Sequence, residues 1–430
     1  MRTSKTNTEK NSRFLLIGNY HFAILCFLFL IIYSICIVGK GKLPQINDLN
    51  YPFHVVDFSF GFCSKLLPGA ITNLFLPTIT KQSASVLETV FFIFFLLLLS
   101  VSMQKVFDKI PQKTKKIFII ICFLFITGPC TFGMLISQFG MLDSYIIYFF
   151  LLAVMCIASE NLVFLSIPLG ISIVFVHYST LISYIPFLAI LLTYRIFLCA
   201  DDKKKKVMCI ILVFFILFSF GFGFYFAIFE KNNISYSVEE FNEKLNSKGA
   251  TYHTYYEYAF YNVVDRQEDI TQYKIVENRI NDLTSGFINT FLLQFVTRYF
   301  MLISSFKYLP MIHIQTATAL LLITPIITLI LLSFHKEKKC TTKKMERILL
   351  SLFPFMFFFV FFFGVVFSSD LIRWLSHAYI ILFTAYLFVL YKKDASIIPE
   401  YLFSVFHIFP KVFILLFSAV YSLTIFDPYG

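Results

Sequence analysis

Charge is what this sequence has least of. Asp, Glu, Lys and Arg make up 14% of 430 residues, where a soluble domain carries about a quarter. A chain so poor in charge cannot solvate its surface on every side, which excludes an ordinary water-soluble fold. Strand-like alternation is missing too. Runs such as FFIFFLLLLS (91–100) and FMFFFVFFF (355–363) have no two-residue period, which excludes a membrane β-barrel. The nine cysteines show no CxxC or zinc spacing. Most of them, such as Cys26, Cys122 and Cys156, lie inside apolar blocks as small fillers. No GxxxxGK[ST] loop, GxSxG elbow or HExxH pair occurs, so nothing signals an ATP motor, a serine hydrolase or a zinc peptidase. No cofactor is called for, and a divalent metal at the outer face has no ligand set to support it.

Hydrophobic residues supply 58% of the chain, and 58 residues are Phe. They cluster into blocks of roughly 16 to 24, the length that crosses a hydrocarbon core as helix. Backbone groups in lipid must bond within their own segment, so each block is read as a helix. The expected fold is all-α, a polytopic transmembrane bundle. It has eleven spans, at about 20–38, 84–103, 117–136, 144–158, 162–177, 181–198, 207–229, 311–334, 348–368, 371–391 and 410–426. The first span follows Arg2, Lys5, Lys10 and Arg13 and lacks a cleavage pattern, so it is read as retained.

The net charge of +11 does not indicate nucleic acid, because the basic residues sit in short loops between apolar blocks. Lys113, Lys115, Lys116, the run Lys203 to Lys206 and the run Lys336 to Arg347 all fall on one side. The positive-inside rule makes that side cytoplasmic, giving N-in and C-out. Localisation is then a membrane, multi-pass, with the lipid bilayer as first partner. Three regions follow: 1–229 with a first outer loop at 39–83, an outer loop and small helical cap at 230–306, and 307–430. The second half of the first outer loop reads as a helix lying on the membrane. Segment 287–306 contains Arg298 with Lys307 just beyond, and is expected to lie along the outer face without crossing.

On this topology Asp57, Lys65, Asp143, His177, His313, Asp370 and Arg373 reach the outer face from five separate segments. Ionisable groups at a membrane edge are costly enough to invite a functional reading. Asp57, Asp143 and His177 are the candidate catalytic groups, since a carboxylate or imidazole near a polar substrate can serve as acid or base. Lys65, Arg298, Asp370, Arg373 and Trp374 are the candidate substrate-binding groups, with Arg suited to a phosphate through its planar fork. Plainer readings stand beside these. Loop ends are wet, Asp370 stands three residues before Arg373 and is placed to pair with it, and Trp374 suits an interfacial anchor. Glu160 and Arg195, at the inner face, read as ordinary loop residues. The Tyr cluster TYHTYYEYAFY (251–261) suits either sugar stacking or packing of the cap.

The fragments DFSFGFCSKLLPGAI (57–71), GMLDSYIIYFF (140–150), IPLGISIVFVHYS (167–179) and DLIRWLSHAYI (370–380) resemble multi-span proteins of bacterial polysaccharide gene clusters. The layout is similar to C-type glycosyltransferases and O-antigen polymerases, many-span proteins with large outer loops. C-type enzymes carry an acidic residue in the first outer loop, where Asp57 stands, although their paired acidic motif is absent here. O-antigen polymerases rely on outer-loop Arg residues, for which Arg266, Arg298 and Arg373 are the counterparts. The resemblance implies surface-polysaccharide or glycan synthesis in the bacterial cytoplasmic (inner) membrane, with a polyprenyl-phosphate-linked sugar transferred or polymerised at the outer face. A transporter or flippase of such a lipid, and a non-catalytic membrane protein, remain the other readings.

Overall fold

A computed structural model of the protein describes residues 20–38, 43–47, 50–76, 78–112, 114–128, 130–137, 139–229, 243, 245–247, 309–367 and 371–392. The expected cap over 230–285, segment 287–306, the span at 410–426, Arg266, Arg298 and Asp370 lie outside these residues, apart from the few cap positions named. Among the described residues the chain is helical, with no strand. The helices are α1 His21–Ile32, α2 Pro52–Val55, α3 Leu67–Phe75, α4 Lys81–Lys109, α5 Lys115–Thr127, α6 Phe132–Ser137, α7 Leu142–Ala158, α8 Ser166–Val176, α9 Tyr184–Leu198, α10 Asp202–Phe229, α11 Leu309–Cys340, α12 Lys344–Phe367 and α13 Leu371–Lys392.

Local chemistry sets several of these bounds. Thr80 and Ser83 form a reciprocal capping box at the start of α4, satisfying two of its orphan N–H groups. The helix stops at Ile110, held extended by the proline that follows. Asp201 accepts hydrogen bonds from the N–H groups of Lys203 and Lys204 at 2.9 and 3.2 Å, which starts α10. The N–H of Ala23 in α1 donates to Gln104 Oε1 of α4 at 2.8 Å. A buried glutamine thus supplies a helix start with an acceptor that lipid cannot offer.

Among the described residues five helical segments are long and apolar enough to cross a membrane: α4, Tyr178–Leu198 containing α9, α10, Lys344–Gly364 of α12 and Arg373–Lys392 of α13. Shorter apolar helices of 10–17 residues include α7. This is a helical membrane protein. The helices sort by hydropathy from the inside out. Segment Arg373–Lys392 is the least hydrophobic of the five at 1.6, yet 89% of it is buried in protein, whereas α10 reaches 2.7 and is only 22% buried. The central position of α13 follows, because polar side chains in a bilayer are tolerated where they face protein. It packs against α4, α7, α9, α11 and α12.

Contacts give the helix directions. Arg373 near the start of α13 meets Asp143 near the start of α7, and Lys392 at its end donates to the Ala158 carbonyl at the end of α7. These two helices are therefore parallel. Helix α4 runs with them, since Tyr148 donates to Glu88 early in α4 and Lys109 at its end donates to the Tyr391 carbonyl. Helix α9 does the same, through Tyr184 with His377 and Tyr194 with Phe388. Helices α1, α5, α8, α10 and α12 run the opposite way: Tyr33 reaches the Thr127 carbonyl, Phe226 meets Phe175, and Gly364 lies against Trp374. Of the described Lys and Arg residues only Lys65, Lys81 and Arg373 lie toward the Asp143 end. The others, from Lys105 to Lys392, gather at the far end.

The first loop folds over the Asp143 end. Asn50 Nδ2 donates to the Phe139 carbonyl at 3.2 Å, His54 Nε2 to the Gly140 carbonyl at 2.9 Å, and the Lys65 N–H to the Phe175 carbonyl at 2.8 Å. Helix α3 packs onto α2, while Leu74 and Phe75 remain exposed. That is the apolar face expected of a helix lying along a bilayer surface.

His54 is buried in this loop, and burial pushes its pKa down to about 4, against 6.5 for the free side chain. Between those values the unfolded chain binds a proton that the folded chain does not. Stability is therefore full above about pH 6.5 and falls as pH drops toward 4, by up to roughly 3 kcal/mol. Thermal unfolding followed in detergent should show this slope, and His54→Gln should flatten it. An unchanged slope in the variant would assign the pH dependence to other groups.

Candidate functional site

Asp143 sits in the first turn of α7, where a carboxylate complements the helix dipole. The turn before it needs Gly140, whose φ of +78° is left-handed and whose missing side chain leaves room for Ile46 at 2.7 Å and His54 at 3.1 Å from an added Cβ. Asp143 is only 6% exposed. Arg373 approaches both of its oxygens, with Nη2 2.8 Å from Oδ1 and Nε against Oδ2. This is the side-on geometry that makes Arg–carboxylate pairs strong.

Four residues after Arg373, on the same face of α13, His377 brings Nε2 to 3.4 Å from Asp143 Oδ1. Its Nδ1 lies 2.6 Å from the Tyr184 hydroxyl of α9. With Nε2 protonated toward the carboxylate, Nδ1 is the acceptor for the tyrosine O–H. A connected chain Arg373–Asp143–His377–Tyr184 thus ties α7, α9 and α13 together. The cavity beside it, lined by Thr131, Met134, Ser144 and Ser376 among others, has room for about 10 Å³ of water centres, at most one water.

His177 follows α8 with an extended backbone, and its Nδ1 accepts from the Ser179 N–H at 3.1 Å. Its imidazole is within electrostatic reach of Lys65, Arg373, Asp143 and His377. Lys65 holds a left-handed φ of 74°, a conformation that costs a non-glycine residue about 1–3 kcal/mol and is kept where the surroundings fix it. Asp57 caps the turn Phe58–Phe60 and accepts from Ser59 N–H at 2.9 Å and Asn73 Nδ2 at 2.7 Å. That turn lies against the end of α8, through Phe58 and Phe62 on Phe175.

The structure therefore brings Asp143, His177, Lys65 and Arg373 together at one end of the bundle, with Asp57 on the loop that covers the same helix end. Trp374 is wedged between α12 and α13, its ring 5.6 Å from Phe363 and its Cβ 2.2 Å from where a Cβ on Gly364 would stand. In this position it is a packing residue next to Arg373. Glu160 pairs with Lys204 at 3.3 Å, with both side chains exposed.

Sequence reasoning missed His377 and Tyr184. The spacing of four between Arg373 and His377 was the available signal for the first, and Tyr184 carries none. A second buried acid, Glu88, was missed as well. It is fully buried in α4 beside Tyr145 and Tyr148, and its signal was a lone carboxylate within an apolar run. Set against known proteins, the chain matches no family model, no curated protein and no solved structure.

Removing Arg373 would leave Asp143 buried and unpaired. Arg373→Ala is expected to destabilise the fold by about 3–5 kcal/mol, and the double change Asp143→Asn with Arg373→Met to recover most of that loss. Thermal melts of the single and double variants in one detergent measure the coupling. Strictly additive losses would show that the pair contributes nothing as a pair.

Proposed function

We propose that the protein acts in the synthesis of a surface polysaccharide or similar glycan, transferring or polymerising a sugar carried on a polyprenyl phosphate. The observation supporting this most is the balance of charge at the Asp143 end. Arg373 and His377 contact the buried carboxylate of Asp143, and His177 lies within electrostatic reach of Arg373 and Lys65. Such a surplus of donors and positive charge suits a diphosphate. In the reaction an acceptor hydroxyl attacks the anomeric carbon, and the bond from that carbon to the phosphate oxygen breaks. Arg373 and Lys65 stabilise the leaving diphosphate, which departs with the bonding electrons. Asp57, at the rim, accepts the hydroxyl proton. Asp143 holds Arg373 and orients His377, and His177 positions the substrate.

The direct test uses membranes of a producing strain and a radiolabelled lipid-linked sugar. Arg373→Lys and Asp57→Asn should each lower incorporation by at least about tenfold, provided that the variants reach wild-type amounts in the membrane. Normal incorporation in Asp57→Asn would remove that residue from the base role, and normal incorporation in both would sink the transfer reading.

A flippase is the second reading. A long apolar cavity rises from the lysine-rich end to Thr131, Leu135, Ile147 and Ile380, which also line the small cavity under Asp143. A passage closed at one end by an ion pair is a transporter's geometry. Transport of a fluorescent lipid-linked sugar into vesicles, without sugar transfer, would favour it.

The orientation belongs to the same proposal. We take the lysine-rich end as cytoplasmic, with eleven spans, N-in and C-out, and with 287–306 along the outer face. Single cysteines at positions 204 and 246, in a background freed of reactive cysteines, test it. An impermeant reagent applied from outside should label 246 and spare 204, and the reverse pattern would invert the topology.

A further inference from the structure

The long cavity merits a reading of its own. It lies between α4, α5, α7 and α13 and has room for about 380 Å³ of water centres. Along α13 it extends from Ile380 to Lys392 and along α7 from Ile147 to Ala158 and on to Glu160. At 1.5 Å per helical residue that is a slot roughly 18 Å long. Its walls are mostly apolar, formed by Phe95, Leu99, Phe125, Phe150, Leu151 and Phe383, with Thr131 and Thr384 among them and most of the polar groups toward the far end. Protein interiors pack without voids of this size, and an apolar cavity does not hold water well. Inside a bilayer the matching filler is a hydrocarbon chain.

The mouth decides which kind of chain. Lys105, Lys109 and Lys392 rim it, with Ser102 just inside. Lys109 Nζ donates to the Tyr391 carbonyl at 2.8 Å and Lys392 Nζ to the Ala158 carbonyl at 2.7 Å. Each ammonium carries three donors, so both keep capacity toward the opening. Among the described lining residues Glu160 is the one carboxylate; it is drawn to Lys204 at 3.3 Å, and that partner ammonium, by hydrogen bond and charge, lowers the pKa of Glu160 and keeps it ionised. The described charges at the opening are mainly positive, at the end of an apolar slot.

We infer that this cavity binds an anionic phospholipid, its negatively charged headgroup on Lys105, Lys109 and Lys392 and one chain along α7 and α13. The headgroup end lies opposite Asp143 in the bundle, at Lys105, Lys109 and Lys392, and binding there does not depend on the transfer reaction. A headgroup there would bridge the ends of α4 and α13, adding to the Lys109 contact that already joins them.

Native mass spectrometry of the full-length protein in detergent tests this, with phosphatidylglycerol and phosphatidylcholine of identical chains as probes. Phosphatidylglycerol should be retained as one adduct with at least about a tenfold preference. The triple change Lys105→Ala, Lys109→Ala and Lys392→Ala should abolish that preference, whereas Lys203→Ala with Lys205→Ala, on the exposed start of α10, should leave it intact. Val154→Phe, which fills the slot and leaves the rim alone, should lower retention of both lipids. It decides the matter where the lysine changes, which also loosen helix ends, reduce folding. Excess inorganic phosphate should not displace the adduct. Equal retention of the two lipids, retention unchanged in Val154→Phe, equal losses for the rim and α10 lysines, or displacement by inorganic phosphate would each overturn the inference.

Discussion

Asp143 and Arg373 form the contact on which the arrangement of the bundle turns. In a medium with little water two charges cannot be separated cheaply, and each left alone costs several kcal/mol. The carboxylate lies near the start of α7 and the guanidinium near the start of α13. One pair therefore sets both the relative direction and the axial register of the two helices. His377 and Tyr184 extend the same constraint to α9, because a buried imidazole and phenol also need partners. His54 and Gly140 extend it to the first loop by fixing the turn that delivers Asp143.

Around that polar centre the packing is carried by aromatic rings. Phe125 stacks on Phe383 at 3.6 Å between centroids, and Phe150 meets Tyr184 at 4.7 Å. Such rings fill irregular space between helices while adding their own geometric preferences. Their abundance suits a membrane fold in which the hydrophobic effect does not separate protein from lipid tails. Association then rests on close packing and on the few hydrogen bonds that lipid cannot replace. The inverse order of hydropathy and burial between α13 and α10 expresses this. The segment of lowest hydropathy has the most protein around it, and the segment of highest hydropathy turns toward lipid.

The two ends of the bundle have different characters for one reason. Helices that alternate in direction bring the short linkers together, and the linkers carry the charge. At the far end the lysines face outward, or, as Lys109 and Lys392, supply donors to the last carbonyls of neighbouring helices. At the Asp143 end Arg373 points inward instead, onto the buried carboxylate of Asp143. A loop that folds back over the helix starts, with Lys65 held in a left-handed conformation, makes that inward arrangement possible.

The sequence alone determined that the chain is helical and belongs in a membrane, because block length, lack of alternation and scarcity of charge are properties of composition and period. It also determined which residues reach a common end, since helix ends in a bundle can lie at only two levels. Asp143, His177, Arg373 and Lys65 were legible in that sense. What it left undecided was who meets whom. The guanidinium of Arg373 meets Asp143, 230 positions away, a partner that no spacing in the sequence names. His377 and Tyr184 enter the site only because α9 and α13 pack side by side, and Trp374 becomes a wedge because Gly364 lets α12 approach it. Pairing of this kind depends on which helix faces touch. A sequence period gives the face of each helix but not its neighbour, so only the tertiary structure decides it.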